Sequence, residues 1–342
     1  MAKEYGIDDI GNSVQATFFD YDKDGDLDLY VANYPMTPFD APRSYYYYKM
    51  QNSGDFETDN LYRNDGATFT RVTEEAGLRT YGLTLSATVG DLNNDSYPDL
   101  YISNDFSSPD FMYMNNGDGT FSEVIKETTN QTSFYGMGVD IADFNNDLFL
   151  DYIQVDMDAK DNRRSKANMA SMNPDLFWST VNYGFHYQYM HNTLQLNRRI
   201  QGNKPFFSNI SRLSGISSTD WSWGPLLADF DNDGWKDLFI SNGIRREINN
   251  KDYFNDIKLR PMAKDSLLYY TNQIPSEPIA NFTFKNNSDL TFSDVSKDWG
   301  LDDANFSNGA TYADLDNDGD LEIIINNVDQ EAQIYKNNST NN

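Results

Sequence analysis

Residues 20–34 read DYDKDGDLDLYVANY: aspartates on alternate positions, followed at once by apolar, β-prone side chains. Alternating carboxylates repel one another unless a cation lies between them. Asp20, Asp22, Asp24 and Asp28 fall at positions 1, 3, 5 and 9 of a tight loop, with Gly25 at position 6. This spacing wraps a hard cation such as Ca²⁺ in carboxylate and carbonyl oxygens. The carbonyl of Asp26, at position 7, is the expected backbone ligand, and Gly25 supplies the positive φ that curls the chain around the ion.

One such loop alone would equally be a solvated acidic turn, but the pattern recurs four times. The second loop offers Asp91, Asn93, Asp95, Asp99 and the carbonyl of Tyr97; the third offers Asp143, Asn145, Asp147, Asp151 and the carbonyl of Phe149. The fourth offers Asp229, Asp231, Asp233, Asp237 and the carbonyl of Trp235; the fifth offers Asp314, Asp316, Asp318, Glu322 and the carbonyl of Asp320. Up to five Ca²⁺ ions are therefore expected. Loops two and three carry Ser96 and Leu148 where glycine belongs, a substitution costing on the order of 1 kcal/mol of backbone strain. They also carry an asparagine in place of one carboxylate, so binding is expected to be weakest at the Asp143 loop.

An EF-hand requires a bidentate glutamate at position 12 and flanking helices. Position 12 here is Val31, Ile102, Gln154, Ile240 or Ile325. The segments on both sides, such as SVQATFF before the first loop and LDLYVANY within and after it, are short and β-prone. Each loop is thus expected to staple a β-hairpin. Returning segments such as NLYRNDGATFTRVTEEAGL (60–78), FMYMNNGDGTFSEVIKET (111–128) and FTFKNNSDLTFSDVSKDWGL (282–301) add a strand, a turn and another strand. Four antiparallel strands with a fixed signature make one blade of a β-propeller. The predicted fold is therefore all-β, with about five blades in a single propeller domain or propeller fragment over 1–342. Loop spacings exceed the roughly 50 residues of a bare blade, which places partly helical insertions at about 35–58, 158–190 and 245–280.

The loop between strands, followed by N-x-G-x-x-F, resembles the FG-GAP repeats of integrin α-chains. It is more similar still to bacterial VCBS repeats and the cartilage acidic protein family. The stretch 220–257 resembles large surface proteins of Bacteroidota that carry such repeats. The resemblance covers nearly the whole chain and implies Ca²⁺ in the loops and a ring of typically seven blades, often followed by a further domain. Five loops are fewer than that ring needs. AKEYGIDD (2–9) has the register of the blade-closing segments TEEAGLRT (73–80) and SKDWGLDD (296–303), and AQIYKNNS (332–339) supplies a third strand without a fourth. The expectation is a piece of a longer protein; the alternative is a closed ring completed by the N-terminal segment.

Composition narrows the function. The chain has no cysteine and a formal charge of −27, which five Ca²⁺ would bring to about −17. Metal would take the stabilising role disulfides play elsewhere. An acidic surface repels phosphate, which argues against nucleic acid, and no long apolar run offers a membrane span. The N-terminal residues lack the basic and apolar regions of a signal peptide. His186 and His191 are read as structural. Tyr45–Tyr48 offer either a carbohydrate- or peptide-stacking platform or local packing. The favoured function is a non-catalytic, calcium-stabilised binding module, extracellular or at the cell surface, engaging protein or glycan. The alternative is a polysaccharide lyase or hydrolase; no nucleophile–base arrangement supports it.

Overall fold

Every acidic loop is the turn of an antiparallel hairpin, and every hairpin is extended into a blade. In a computed structural model, which describes residues 1–342 except 39, 40, 79, 80, 107, 170, 171, 260–266 and 340–342, blade one consists of Ser13–Phe19, Asp28–Asn33, Asn60–Asn64 and Phe69–Arg71, paired in that order. Blade two follows with Thr84–Gly90, Asp99–Asn104, Phe111–Asn115 and Phe121–Glu123. Blade three has Val139–Ala142, Asp151–Gln154, Thr193–Gln201 and Lys204–Asn209. Blade four has Ser222–Ala228, Asp237–Asn242, Phe282–Asn286 and Phe292–Asp294. The fifth sheet has three strands, Ser307–Ala313, Glu322–Asn327 and Gln333–Tyr335. The protein is thus all-β and built of propeller blades, with few helices.

The second strand of each blade explains the sequence pattern. All six residues of Asp28–Asn33, Asp99–Asn104 and Asp237–Asn242 are buried. A strand covered on both faces reads as a continuous β-prone run rather than an alternation. Two compact units emerge. One comprises Met1–Gln154, Asn173–Tyr189 and Thr193–Ile210, and the other Val155–Met172, Met190–Asn192 and Ser211–Asn342. In the first, Tyr30, Leu61, Leu100, Ile102 and Tyr113 form one core cluster, and Leu92, Tyr101, Met112, Tyr152 and Phe207 another. In the second, Phe230, Phe239, Leu301, Ile323 and Ile325 pack together. First strands of neighbouring blades meet directly in the first unit. Thr17 Oγ1 donates to the Ala87 carbonyl at 2.9 Å, and Thr88 Oγ1 to the Val139 carbonyl at 3.0 Å.

The blade-closing segments are helical turns ending on a left-handed glycine. Ala2–Tyr5 ends on Gly6 with φ 77°, and Gly77 and Gly215 adopt φ of 76° and 80°. These turns dock on the outer strand of a blade: the Ala76 carbonyl accepts from Phe121 N at 2.9 Å, and the Ser214 carbonyl from Phe292 N at 3.1 Å. At Gly6 a Cβ would lie 2.4 Å from the Phe69 carbonyl oxygen, so the close approach as well as the backbone requires glycine.

The three insertions all occupy one kind of connection, between the second and third strands; blade two closes the same gap with residues 105–110. A six-residue strand spans about 20 Å. Acidic loop and insertion therefore lie at opposite ends of each blade that has both. Helix is less continuous than the sequence suggested. In the second insertion, Asn162–Ala167 and Pro174–Asn182 are separate helices. Proline disfavours helical backbone in the residue before it, and Asn173 instead caps the second helix through Asp175 N at 2.9 Å. In the third insertion Lys251–Lys258 and Leu267–Asn272 are helical, whereas 260–266 of that helical expectation lie outside the described residues.

Within the second unit, Arg164 ties the second and third insertions to blade four. Its guanidinium is buried, pairs with both carboxylate oxygens of Asp220 at 2.7 and 2.8 Å, and reaches Glu247 at 2.8 Å and Glu277 at 3.0 Å. A bidentate pair of this kind fixes geometry as well as charge.

Candidate metal centres

All five loops share one backbone. Position 4 takes positive φ in each, at Lys23, Asn94, Asn146, Asn232 and Asn317, with values between 56° and 62°. Position 6 does the same whether or not it is glycine: φ is 96° at Gly25, 89° at Gly234 and 93° at Gly319, but also 72° at Ser96 and 71° at Leu148. The loop sequence therefore imposes its path even on a leucine. That side chain pays with exposure, 82% of its surface facing solvent.

The carboxylates organise that path. The position 1 aspartate accepts from the backbone amide of position 6: Gly25 N to Asp20 at 3.1 Å, Ser96 N to Asp91 at 2.8 Å, Leu148 N to Asp143 at 2.9 Å, Gly234 N to Asp229 at 2.8 Å and Gly319 N to Asp314 at 3.1 Å. The position 5 aspartate accepts from position 7 in each loop, through the amides of Asp26, Tyr97, Phe149, Trp235 and Asp320. Position 9 is buried and joins the loop to the third strand. Asp28 accepts from Tyr21 N and Asn64 N, Asp99 from Leu92 N and Asn115 N, and Asp237 from Phe230 N and Asn286 N. Asp151 accepts from Asn197 N, and Glu322 from Leu315 N and Asn337 N.

Burial at position 9 carries an electrostatic cost. Desolvation lifts Asp28 to about 6, Asp99 and Asp237 to about 7, and Asp151 to about 8, although backbone hydrogen bonds pull each the other way. Neighbouring loop carboxylates add to the rise. Carboxylates gather most closely in three loops. Asp20, Asp22 and Asp28, then Asp229, Asp231 and Asp237, then Asp316, Asp318, Asp320 and Glu322 each bring an oxygen within 4.8 Å of the others. Among the described residues, loops two and three form no such group.

These donors fit a hard divalent cation. Asp20 Oδ1 and Asp320 Oδ1 are buried and have no hydrogen-bond donor among the described residues, and Asp320 is pressed against Asp318 and Glu322. Oxygens crowded against oxygens, with no proton donor, are what a cation satisfies.

One functional residue of every blade escaped the sequence reading. An asparagine that ends the third strand in blades one, two and four, and stands within it as Asn197 and just after it as Asn337 in the other two, clamps the loop. Asn64 Nδ2 donates to the Leu27 carbonyl at 3.1 Å and Asn286 Nδ2 to the Lys236 carbonyl at 3.0 Å. In three blades it also reaches the preceding blade. Asn115 bonds Tyr21 O at 2.8 Å, Asn197 bonds Leu92 O at 3.1 Å and Asn337 bonds Phe230 O at 2.7 Å. Its recurrence in YRND, YMNN, QLNR, FKNN and YKNN was the available signal.

The histidines are buried, as a structural role requires. His186 lies 2.9 Å from Thr129 Oγ1, and burial pushes both imidazoles down to about 4. The tyrosine run divides. Tyr46 is core, packed with Ala41, Tyr81, Leu83 and Phe185, with Tyr45 against it, whereas Tyr47 and Tyr48 are exposed. Half of the expected platform is therefore packing. The helix Arg43–Asn52 that carries it meets the second insertion: Arg43 Nε donates to Thr180 Oγ1 at 3.1 Å, and the Tyr47 and Tyr183 rings lie 6.0 Å apart. Phe177 packs against Trp178, Tyr187 and Tyr189 with ring centres 5.2 to 6.2 Å away. Trp178 is 56% exposed, and Tyr183, Tyr187 and Tyr189 are exposed as well.

Blades with an acidic loop between their first two strands define a class of repeat protein, and comparison with known proteins agrees. Residues 91–153 match the model of the FG-GAP-like repeat. Cartilage acidic protein 1 of Xenopus tropicalis is 24% identical over 200 residues, covering 50% of this chain and 31% of that protein. The Mus musculus protein of the same name matches to the same extent. The chain thus spans about a third of the length of the curated relatives it matches. An Agrocybe aegerita lectin, solved for its specific recognition of non-reducing terminal N-acetylglucosamine, aligns with 97% of this chain and 64% of its own at 14% identity and a TM-score of 0.45. The V. cholerae biofilm matrix protein Bap1 aligns with 68% of this chain and 35% of its own at 12% identity and a TM-score of 0.31. Neither structural likeness bears on function. Among the described residues, no helix is long and apolar enough to cross a membrane.

Proposed function

We propose that this chain is a non-catalytic binding module, stabilised by Ca²⁺ in its acidic loops and working at the cell surface or outside the cell. Its ligand is a glycan or protein engaged at the insertion end of the blades. The metal end and the insertion end divide the work: loops set the blades, and insertions present the contact surface. Rigid scaffolds commonly carry recognition on such inserted segments. The observation that carries the reading is the meeting of two separate insertions in the first unit, with Tyr47, Trp178, Tyr183, Tyr187 and Tyr189 left exposed. Exposed aromatic rings with polar tips stack on sugar faces and anchor protein partners at low entropic cost.

A panel of polysaccharides and glycans, scored for both retention and release of reducing ends, tests it. Retention without release is expected, weakened at least tenfold by Trp178→Ala with the melting temperature unchanged. Release of reducing ends would contradict the non-catalytic reading; retention indifferent to Trp178→Ala and Tyr47→Ala would move the contact surface elsewhere.

A further inference from the structure

We propose that Lys285 and Lys336 are built-in counter-ions of loops four and five, standing where loops two and three use the amide of their own position 3 asparagine. The inference rests on the calcium reading and adds to it a rule for how each loop balances its charge. Loops four and five place aspartates at both position 3 and position 5. In loop four, Lys285 Nζ contacts Asp231 and donates to Asp233 at 2.8 Å. In loop five, Lys336 Nζ contacts Asp316 and lies 3.9 Å from Asp318. In loop two the same link is internal: Asn93 Nδ2 donates to Asp95 at 2.8 Å, and in loop three Asn145 Nδ2 donates to Asp147 at 3.2 Å. An N–H donor thus joins position 3 to position 5 in loops two, three and four, from two chemical sources, while in loop five the ammonium bonds position 3 and stands at ion-pair distance from position 5.

The sequence follows the same rule. Both lysines stand immediately before the clamping asparagine of the third strand, and loops two and three have Met114 and Leu196 at that place. In loop four, four carboxylates at positions 1, 3, 5 and 9 with one lysine leave a formal −3, as do three carboxylates with an asparagine and an apolar residue in loops two and three; loop five adds Asp320 at position 7 and stays at −4. Loop one is the exception that the rule makes informative. Arg63 occupies the equivalent place but pairs with Asp65 at 2.9 Å. Arg63 thus acts on Asp22 through its charge alone, and among the described residues no side-chain N–H donor bridges Asp22 and Asp24 as in the other loops.

The ammonium competes with a bound ion for position 3, so its presence lowers affinity and steadies the metal-free loop. Trp235 makes loop four separately readable, since none of the other four tryptophans lies within an acidic loop. Trp299 lines the same cleft as Asp231, so only the part of the Ca²⁺-displaceable Tb³⁺ luminescence that is lost in Trp235→Phe is read as the signal of loop four. Lys285→Met is expected to tighten Ca²⁺ at loop four roughly tenfold, the order expected for removing one nearby positive charge. The same change should lower the melting temperature in chelator. Asp231→Asn should weaken binding, the pair Asp231→Asn with Lys285→Met should return it to near the starting value, and Lys285→Arg should leave it there. Lys336→Met in loop five, read by Ca²⁺ titration calorimetry, gives a second instance if the Lys285 variant folds poorly. Unchanged or weaker Ca²⁺ binding in folded Lys285→Met overturns the counter-ion role while leaving the calcium reading intact. A parent protein that gives no Ca²⁺-displaceable signal overturns both.

Discussion

Leu148 shows how strongly the loop dictates its own path. A leucine at φ 71° is held there by the Asp143 carboxylate, which accepts its amide hydrogen at 2.9 Å. The left-handed region costs an L-residue roughly 1–2 kcal/mol that glycine does not pay. Leu148→Gly is therefore expected to tighten Ca²⁺ at the third loop by several-fold, and Asp143→Ala to destabilise the protein less than Asp20→Ala or Asp229→Ala. Calcium titration and melting of the four variants check the order. An Asp143→Ala loss as large as that of Asp229→Ala would show that the glycine position is no guide to affinity. At this scale the spacing of the carboxylates was legible in the sequence and their hydrogen-bond partners were not. The 1-3-5-9 spacing is local and visible along the chain. The clamping asparagines and Lys285 act across tens of residues, from the third strand back to the loop, so only their repetition could have betrayed them.

At the scale of the element, each loop-bearing hairpin couples the charge of its position 9 carboxylate to the burial of the strand that follows. The carboxyls of Asp28, Asp99, Asp237 and Asp151 titrate at about 6, 7, 7 and 8 in the metal-free fold, against about 4 in an unfolded chain. The fold holds those protons more tightly, so the contribution of these four carboxyls to stability without metal is greatest at low pH and falls as pH rises through these values, outweighing the smaller opposite contribution of the buried His186 and His191. In chelator the melting temperature is expected to drop between pH 5 and pH 8; saturating Ca²⁺, which stabilises the ionised carboxylates, should flatten or reverse that trend. A chelated protein more stable at pH 8 than at pH 5 would contradict the burial argument. Hairpins and their returning strands were legible because β-prone runs flank every loop. Insertion helices were less so: Met169, Met172, Leu176 and Phe177 have helical spacing, but Asn173–Pro174 starts a new helix between them. Local stop and start chemistry outweighed periodicity there.

For the molecule as a whole, repetition makes the fold legible while the insertions keep the ligand illegible. Five loops in register specify blades, their strand order and the end of each blade at which the acidic loop lies. Nothing in the run Tyr45–Tyr48 reveals that Tyr46 joins a core with Phe185, over a hundred residues away, while Tyr47 and Tyr48 stay exposed; that division comes from tertiary packing. Stability is expected to depend on metal, because a chain of formal charge −27 without cysteine gains both charge relief and cross-links from bound cations. The central claim is that the loops are calcium staples. Thermal unfolding in excess chelator, in Ca²⁺ and in Mg²⁺, with the metal content of the purified protein determined in parallel, tests it most directly. A markedly lower melting temperature is expected in chelator, with full recovery in Ca²⁺ and poor recovery in Mg²⁺, which favours a smaller octahedral shell. Identical unfolding curves in all three conditions, with no calcium bound to the protein, would contradict it.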